Sequence, residues 1–137
     1  MEIKIPTRYS KMGVKELLPI AQKWVNKYVR LRDSQNGYFK CISCGQINPT
    51  SELNAGHYLP TTYGPTRLNP INIWGQCIQC NFHKHGNQEA YRANLIKKIG
   101  LAEVEKLEIT ARMRHKFDRL TLILTIQEFQ QKCKELE

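Results

Sequence analysis

The sequence predicts an α+β chain, mostly helical, in which a small core tied together by cysteines is flanked by N- and C-terminal helices. Two observations predict it. Cys41, Cys44, Cys77 and Cys80 form two CxxC pairs, and the stretch between them, 45–76, is rich in Gly, Pro, Asn and Thr with no sustained helical period. On either side, apolar residues recur at the spacing of an amphipathic helix. The expected organisation is one domain over 1–137, with an N-terminal helix at 14–33, a stapled core at 38–100 and C-terminal helices at 101–137.

Each element has its own signal. Val14, Leu17, Leu18, Ala21, Trp24, Val25, Tyr28 and Val29 mark the buried stripe of the first helix. Pro19 suits a first turn, so the solid part of that helix is expected from Leu18 to about Arg32. Asp33–Gly37 reads as a turn, and Tyr38–Cys41 leads into the first CxxC. A short strand is expected around His57, then a long irregular loop, then a helix opening near Cys77 or Cys80. Gln88–Ile99 reads as a helix stopped by Gly100, with a short helix over Leu101–Leu107. Thr125-Ile-Gln-Glu128 has the form of a capping box, yet Leu122, Ile126, Phe129, Cys133 and Leu136 share one face if the helix begins earlier, near Leu120. Cys133 is then a small buried hydrophobe.

Composition narrows the class. Hydrophobic residues make up 41% of the 137, which favours a folded globular chain over a disordered one. No run approaches the length needed to span a bilayer, and the first residues, MEIKIPTRYSKMG, lack the apolar region of a signal peptide. The expected location is the cytoplasm, with no membrane partner. Lys and Arg total 21 against 12 Asp and Glu, a net charge of +9, which favours a polyanionic partner.

In a reducing compartment, paired cysteines bind metal more often than they form disulfides. Two CxxC knuckles place four thiolates around one tetrahedral Zn²⁺. Metal binding would supply folding energy that the loop-rich segment cannot draw from burial. A site closed by four thiolates keeps no open position, so this zinc would be structural. Disulfides or four ordinary core cysteines are the alternatives.

The cations fall in strips. Lys23, Lys27, Arg30 and Arg32 lie on the first helix, and Arg112, Arg114, Lys116 and Arg119 form a run near the C-terminal helix. No Asp or Glu occurs between Glu52 and Glu89, a zone that holds Tyr58, Tyr63, Arg67, Trp74, Phe82 and Lys84. Basic and aromatic residues unopposed by acid suit a surface lying against nucleic acid. Trp74 and Phe82 are themselves expected in the small core beside the zinc. No recognition-helix signature is visible, so contacts would go mainly to phosphates and read shape.

Ahead of Pro60 stands His57, Asn72 precedes Cys77 by five residues, and Asn81 follows Cys80 directly. This layout resembles zinc-stapled HNH nucleases and the phage junction resolvase endonuclease seven. A fuller likeness is to the NinG (Rap) family of phage recombination proteins. It is carried by KYVRLRD, CISCG, AGHY and NIWGQCIQCNFHKHGNQEAYRANLIKKIG, which together span 27–100. The resemblance implies a ββα-metal (HNH-like) core and a protein that binds branched DNA, such as a Holliday junction or D-loop, and cleaves it. It implies a family longer at the N-terminus, of which this chain is a compact or a truncated relative. Two symmetric cuts in a junction would require a homodimer. The amphipathic terminal helices could build one, or could forgo it by packing on their own core. Recombination proteins are the other candidate partners.

Carried over by position, His57 would be the general base, Asn72 would brace its loop, and Asn81 would be a ligand of a catalytic Mg²⁺ or Mn²⁺. HNH enzymes usually carry a ligand directly before the catalytic His, where this chain has Gly56. His83 is the candidate additional ligand, with Glu52, Asn54 and His85 as further donors. The DNA-binding candidates are Lys23, Lys27, Arg30, Arg32, Arg67, Lys84, Arg112, Arg114 and Lys116. Two other functions stay open: a non-catalytic branched-DNA-binding module, and a zinc-ribbon adaptor for proteins, against which the charge argues.

Overall fold

A computed structural model describes residues 5–137, so the first four residues of the expected domain lie outside the described chain. Helix α1 (Val14–Asp33) starts where the Gly13 amide donates to Glu16 Oε2 at 2.9 Å. That is four residues earlier than Pro19 suggested, and Pro19 lies inside the helix. The carbonyl it leaves without a partner belongs to Lys15, an exposed residue, which limits the cost. Leu17, Ala21, Val25 and Val29 are fully buried at four-residue steps along one stripe.

The second long helix, designated α5 below, runs Arg119–Leu136 and packs along α1. Its cap is Asp118, which accepts from the Thr121 amide (2.9 Å) and hydroxyl (2.7 Å). Thr125 is therefore mid-helix and caps nothing; its hydroxyl donates back to Thr121 O at 2.8 Å. Leu122, Ile123, Ile126, Phe129 and Cys133 are buried against α1, with the Cys133 thiol 3.8 Å from Trp24 O. Leu136 departs from the expected face: it is 48% exposed in the last turn. Arg119 is structural, since its guanidinium donates to Met12, Tyr9 and Ser10 carbonyls and ties down the N-terminal segment.

Between these helices lie two small sheets. Strands β1 (Ser34–Gln35), β2 (Tyr38–Lys40) and β3 (Ile47–Pro49) are antiparallel in that order. The β1–β2 turn is Asn36-Gly37, with φ of 53° and 82°, the left-handed pair that a tight two-residue hairpin requires. Strand β4 (Asn54–His57) pairs antiparallel with β5 (Ile73–Gln76), in the register Asn54↔Gln76 and His57↔Ile73. The loop joining them carries the one-turn helix α2 (Gly64–Arg67). No regular helix opens at Cys77 or Cys80: residues Gln79–His83 make a single wide π-type turn. Helix α3 (Gln88–Ile99) follows, and Gly100 separates it from α4 (Leu101–Ala111), which runs four residues beyond the expected Leu107.

The β4–β5 hairpin is covered on both faces. On one, Ile73 packs with Val25, Val29 and Phe129, and Ala55 lies against them. On the other, Trp74 packs with Tyr58, Tyr91 and Leu95, and the Tyr91 hydroxyl donates to Gly56 O at 2.6 Å. Alternation along a strand accounts for this split, because successive side chains leave on opposite faces. Glu108 ties α4 to the same corner: it accepts from Tyr58 OH (2.5 Å) and from Arg92 Nε (2.9 Å). Both donors, Arg92 foremost, hold its carboxyl below the usual range.

Candidate metal centre and nucleic-acid interface

The two knuckles close on one another. The sulfurs of Cys41, Cys44, Cys77 and Cys80 lie within 4.8 Å of one another, close enough to share one metal ion such as zinc. Backbone amides are already turned toward them: Cys77 N–H donates to Cys41 Sγ at 3.3 Å and Cys80 N–H to Cys77 Sγ at 3.4 Å. Asn87 Nδ2 reaches Cys80 Sγ at 3.5 Å. Such donors orient thiolates and disperse their charge. Burial pushes the Cys77 thiol up to about 12, so a bare cluster keeps this proton at neutral pH and a cation is what removes it. Among the described residues, only Phe39 and Leu53 join the cysteines in this cluster of the core.

His57 ends β4 at the far end of the hairpin from the cysteines, roughly 10 Å of strand away. Its Nε2 lies 2.9 Å from Arg67 O. Burial lowers its pKa from the ordinary value, against the pull of that carbonyl, so the ring is neutral at pH 7. The neutral tautomer with a proton on Nε2 satisfies the carbonyl and leaves the Nδ1 lone pair available. Asn72, fully buried, holds the loop that follows: its Oδ1 accepts from Leu59 N (2.9 Å) and its Nδ2 donates to Leu59 O (3.0 Å) and Thr66 O (3.2 Å). His57 and Asn72 thus share one end of the hairpin.

Asn81 belongs to the metal end, its amide donating to Cys77 O at 3.0 Å. It is half-buried, whereas His83, Lys84 and His85 are exposed. Phe82, expected in the core, is 63% exposed, because the wide turn carries it outward.

Gly56 has a physical cause. The Gln76 side chain lies across it, and a Cβ on residue 56 would overlap Gln76 Oε1 and sit 3.0 Å from Gln76 Cβ and Cδ. Gln76 is itself fully buried and fixed, its Nε2 donating to Ser43 Oγ (2.9 Å) and Gly86 O (2.5 Å). No carboxylate can occupy residue 56 while Gln76 holds that position. Among the described residues, the four cysteines are the one group of three or more Cys, His, Asp or Glu donors placed to share an ion. Asn81 and His83 offer one amide oxygen and one imidazole, and that set does not fit a hard Mg²⁺ ion.

The basic residues divide by contact. Lys23, Lys27, Arg30 and Arg67 line one open groove of about 600 Å³ along α1, with Gln22, Asn26 and Pro19 and no carboxylate. Arg30 donates to Leu53 O (2.9 Å) and Arg67 to Gln22 Oε1 (3.2 Å), so both are pre-positioned. Lys27 makes a solvent-exposed pair with Glu137 at 3.0 Å. Arg32 faces inward: it binds Asp33 (2.7 Å), Pro70 O (3.0 Å) and Ile73 O (2.7 Å), and lies 3.8 Å over the Trp74 ring. Arg112, Arg114 and Lys116 are exposed on the connection between α4 and α5, apart from the α1 groove.

Sequence reasoning missed Gln76 and Asp33. Asp33 looked like the opening of a turn, yet it closes α1, and its Oδ2 accepts from the Gly75 amide at 2.7 Å. The only signal for Gln76 was a polar residue inside a strand directly before a cysteine.

The fold and its centre define a small α+β protein in which a four-cysteine cluster able to hold one metal ion braces a hairpin between basic helices. The family model for the Bacteriophage Lambda NinG protein matches residues 6–137, and the chain belongs to the NinG family. It is 39% identical over 117 residues to the protein ninG of Salmonella phage P22, and equally to that of Escherichia phage lambda. The match to the protein ninG of Escherichia phage 933W is 38%. These alignments cover 85% of this chain but 55–56% of the relatives, so the chain spans about half their length. No solved structure matches it. Among the described residues, no helix is long and apolar enough to cross a membrane.

Proposed function

We propose that this chain binds branched DNA in phage recombination, in the cytoplasm of the host, and that a structural Zn²⁺ in its four-cysteine cluster shapes the hairpin that lies against the DNA. The observation that carries this reading is the α1 groove. Four cations from two separate elements line it, its lining holds no carboxylate, and the one ion pair that touches it is the solvent-exposed Lys27–Glu137 contact at its rim. Contacts from such a groove go to phosphates and follow the shape of the backbone, which suits a structure-selective binder.

The test is a Lys23→Glu/Lys27→Glu variant bound to a labelled four-way junction. At moderate salt, affinity falls at least tenfold and the salt dependence shrinks by about 0.9 in log–log slope per lost contact. Unchanged affinity with an intact fold sinks the assignment of this groove.

A second reading, endonuclease activity, is favoured by His57. Its Nε2 is engaged by the Arg67 carbonyl and its ring is neutral, which leaves Nδ1 to take a proton from an attacking water. In that reading β4, β5 and α3 act as an HNH-like ββα unit. The donor set of Asn81 and His83, one amide oxygen and one imidazole, does not suit Mg²⁺. Junction cleavage that His57→Ala abolishes, with binding retained, supports this reading. Tight binding without cleavage under any divalent ion leaves the non-catalytic module.

A further inference from the structure

On the α3 side of the hairpin lies a second basic groove. Lys40 on β2 and Lys97 and Lys98 in the last turn of α3 converge beside the first knuckle. Two adjoining hollows, of about 480 and 280 Å³, share Lys40, Ile42 and Lys98 and so form one continuous track. It has no residue in common with the α1 groove.

The alignment of these lysines is built in. Asn94 of α3 donates to Ile42 O (2.8 Å) and Ser43 O (3.0 Å), which locks the end of α3 against the knuckle. Lys98 Nζ lies 4.9 Å from the Trp74 ring centroid, and the Arg32 guanidinium is stacked on the same ring. The tryptophan therefore gathers two cations at one edge of the track. Among the described residues, none of the three lysines makes an ion pair. The one carboxylate lining the track, Asp33, is turned to Arg32 and the Gly75 amide.

We infer that this track binds the phosphate backbone of a second arm of branched DNA while the α1 groove holds the first. A single small anion would leave most of an open, elongated groove unfilled, whereas a nucleic-acid backbone supplies charge along its length. A linear duplex can occupy one groove at a time. A junction presents two arms to two separate grooves, and the second engagement becomes intramolecular. This inference rests on the DNA-binding reading above and gives it a source of branch preference.

The experiment compares a four-way junction with linear duplex of the same arm sequence, for the native chain and for Lys40→Ala/Lys97→Ala/Lys98→Ala. The variant is expected to lose tenfold or more in junction affinity, with duplex affinity within twofold of native and the metal content unchanged. A matching Lys→Arg triple variant, which keeps the charges, retains junction affinity. Equal losses on junction and duplex, or no loss on either, overturn the inference. If instead the native chain binds neither DNA, it is the DNA-binding reading itself that fails. Should the alanine variant lose its metal, Lys97→Glu/Lys98→Glu, which changes only exposed side chains at the end of α3, decides by the same comparison.

Discussion

Where α1 meets α5, Leu17 and Ala21 pack on Leu122, Ile123 and Ile126, all essentially solvent-free. Beside the knuckles, Phe39 and Leu53 alone among the described residues accompany the cysteines in their cluster. The first region folds by burying apolar area, at roughly 25 cal/mol per Å². The second has few apolar side chains for that, and a metal ion shared by its four sulfurs would supply the order instead. The β4–β5 hairpin, clamped between these regions, would then draw its order from two independent sources. Val25 and Val29 grip it from α1, and Cys77 anchors it directly after β5.

Metal removal should separate the two regions most sharply. Chelation, or Cys77→Ser, is expected to withdraw on the order of 10 kcal/mol from the knuckle region. Thiol titration would then find the four knuckle cysteines reactive, while much of the α1–α5 helical signal in circular dichroism survives. Complete and simultaneous loss of all helix on chelation would show that the regions are one cooperative unit.

Leu122→Ala is the converse. Truncating this fully buried side chain should cost about 2–5 kcal/mol in denaturant unfolding. The folded variant should still bind one metal ion per chain. A fall in metal stoichiometry would break the proposed independence.

Gly56→Ala acts at the seam between them. The added methyl meets Gln76, which is held by Ser43 and Gly86, so a destabilisation of about 1–3 kcal/mol is expected. In a Gln76→Ala background most of the Gly56→Ala cost should vanish, a coupling that a double-mutant cycle reads directly. Additive costs would mean that some other neighbour excludes a side chain at residue 56.

Much of this was legible in the chain itself. The helical stripe of α1, the strand at His57, the α3–Gly100 boundary and the pairing of two CxxC knuckles follow from local periodicity and spacing. The misses have a common cause in tertiary contact. Pro19 is tolerated inside α1 because the cap at Gly13 and packing on α5 carry the first turns. Thr125 matches a capping pattern, but the exposed Asp118 stands seven residues earlier, directly before Arg119, and takes the cap. Gly56 offers no ligand before His57, and the reason lies twenty residues on, where the Gln76 side chain lies over it. Lys40 and the Lys97–Lys98 pair are far apart in sequence, and only the Asn94 contacts with the knuckle show that they share a groove.

We propose above that this basic domain holds DNA by its phosphates. The most direct measurement is the equilibrium affinity of the native chain for a four-way junction between 50 and 200 mM salt, the range over which roughly six to ten phosphate contacts cost about 10³–10⁵ in affinity. A steep linear fall of log affinity with log salt is expected, with several contacts implied by the slope. Affinity that stays flat across that range, or no binding even at its low end, would contradict it.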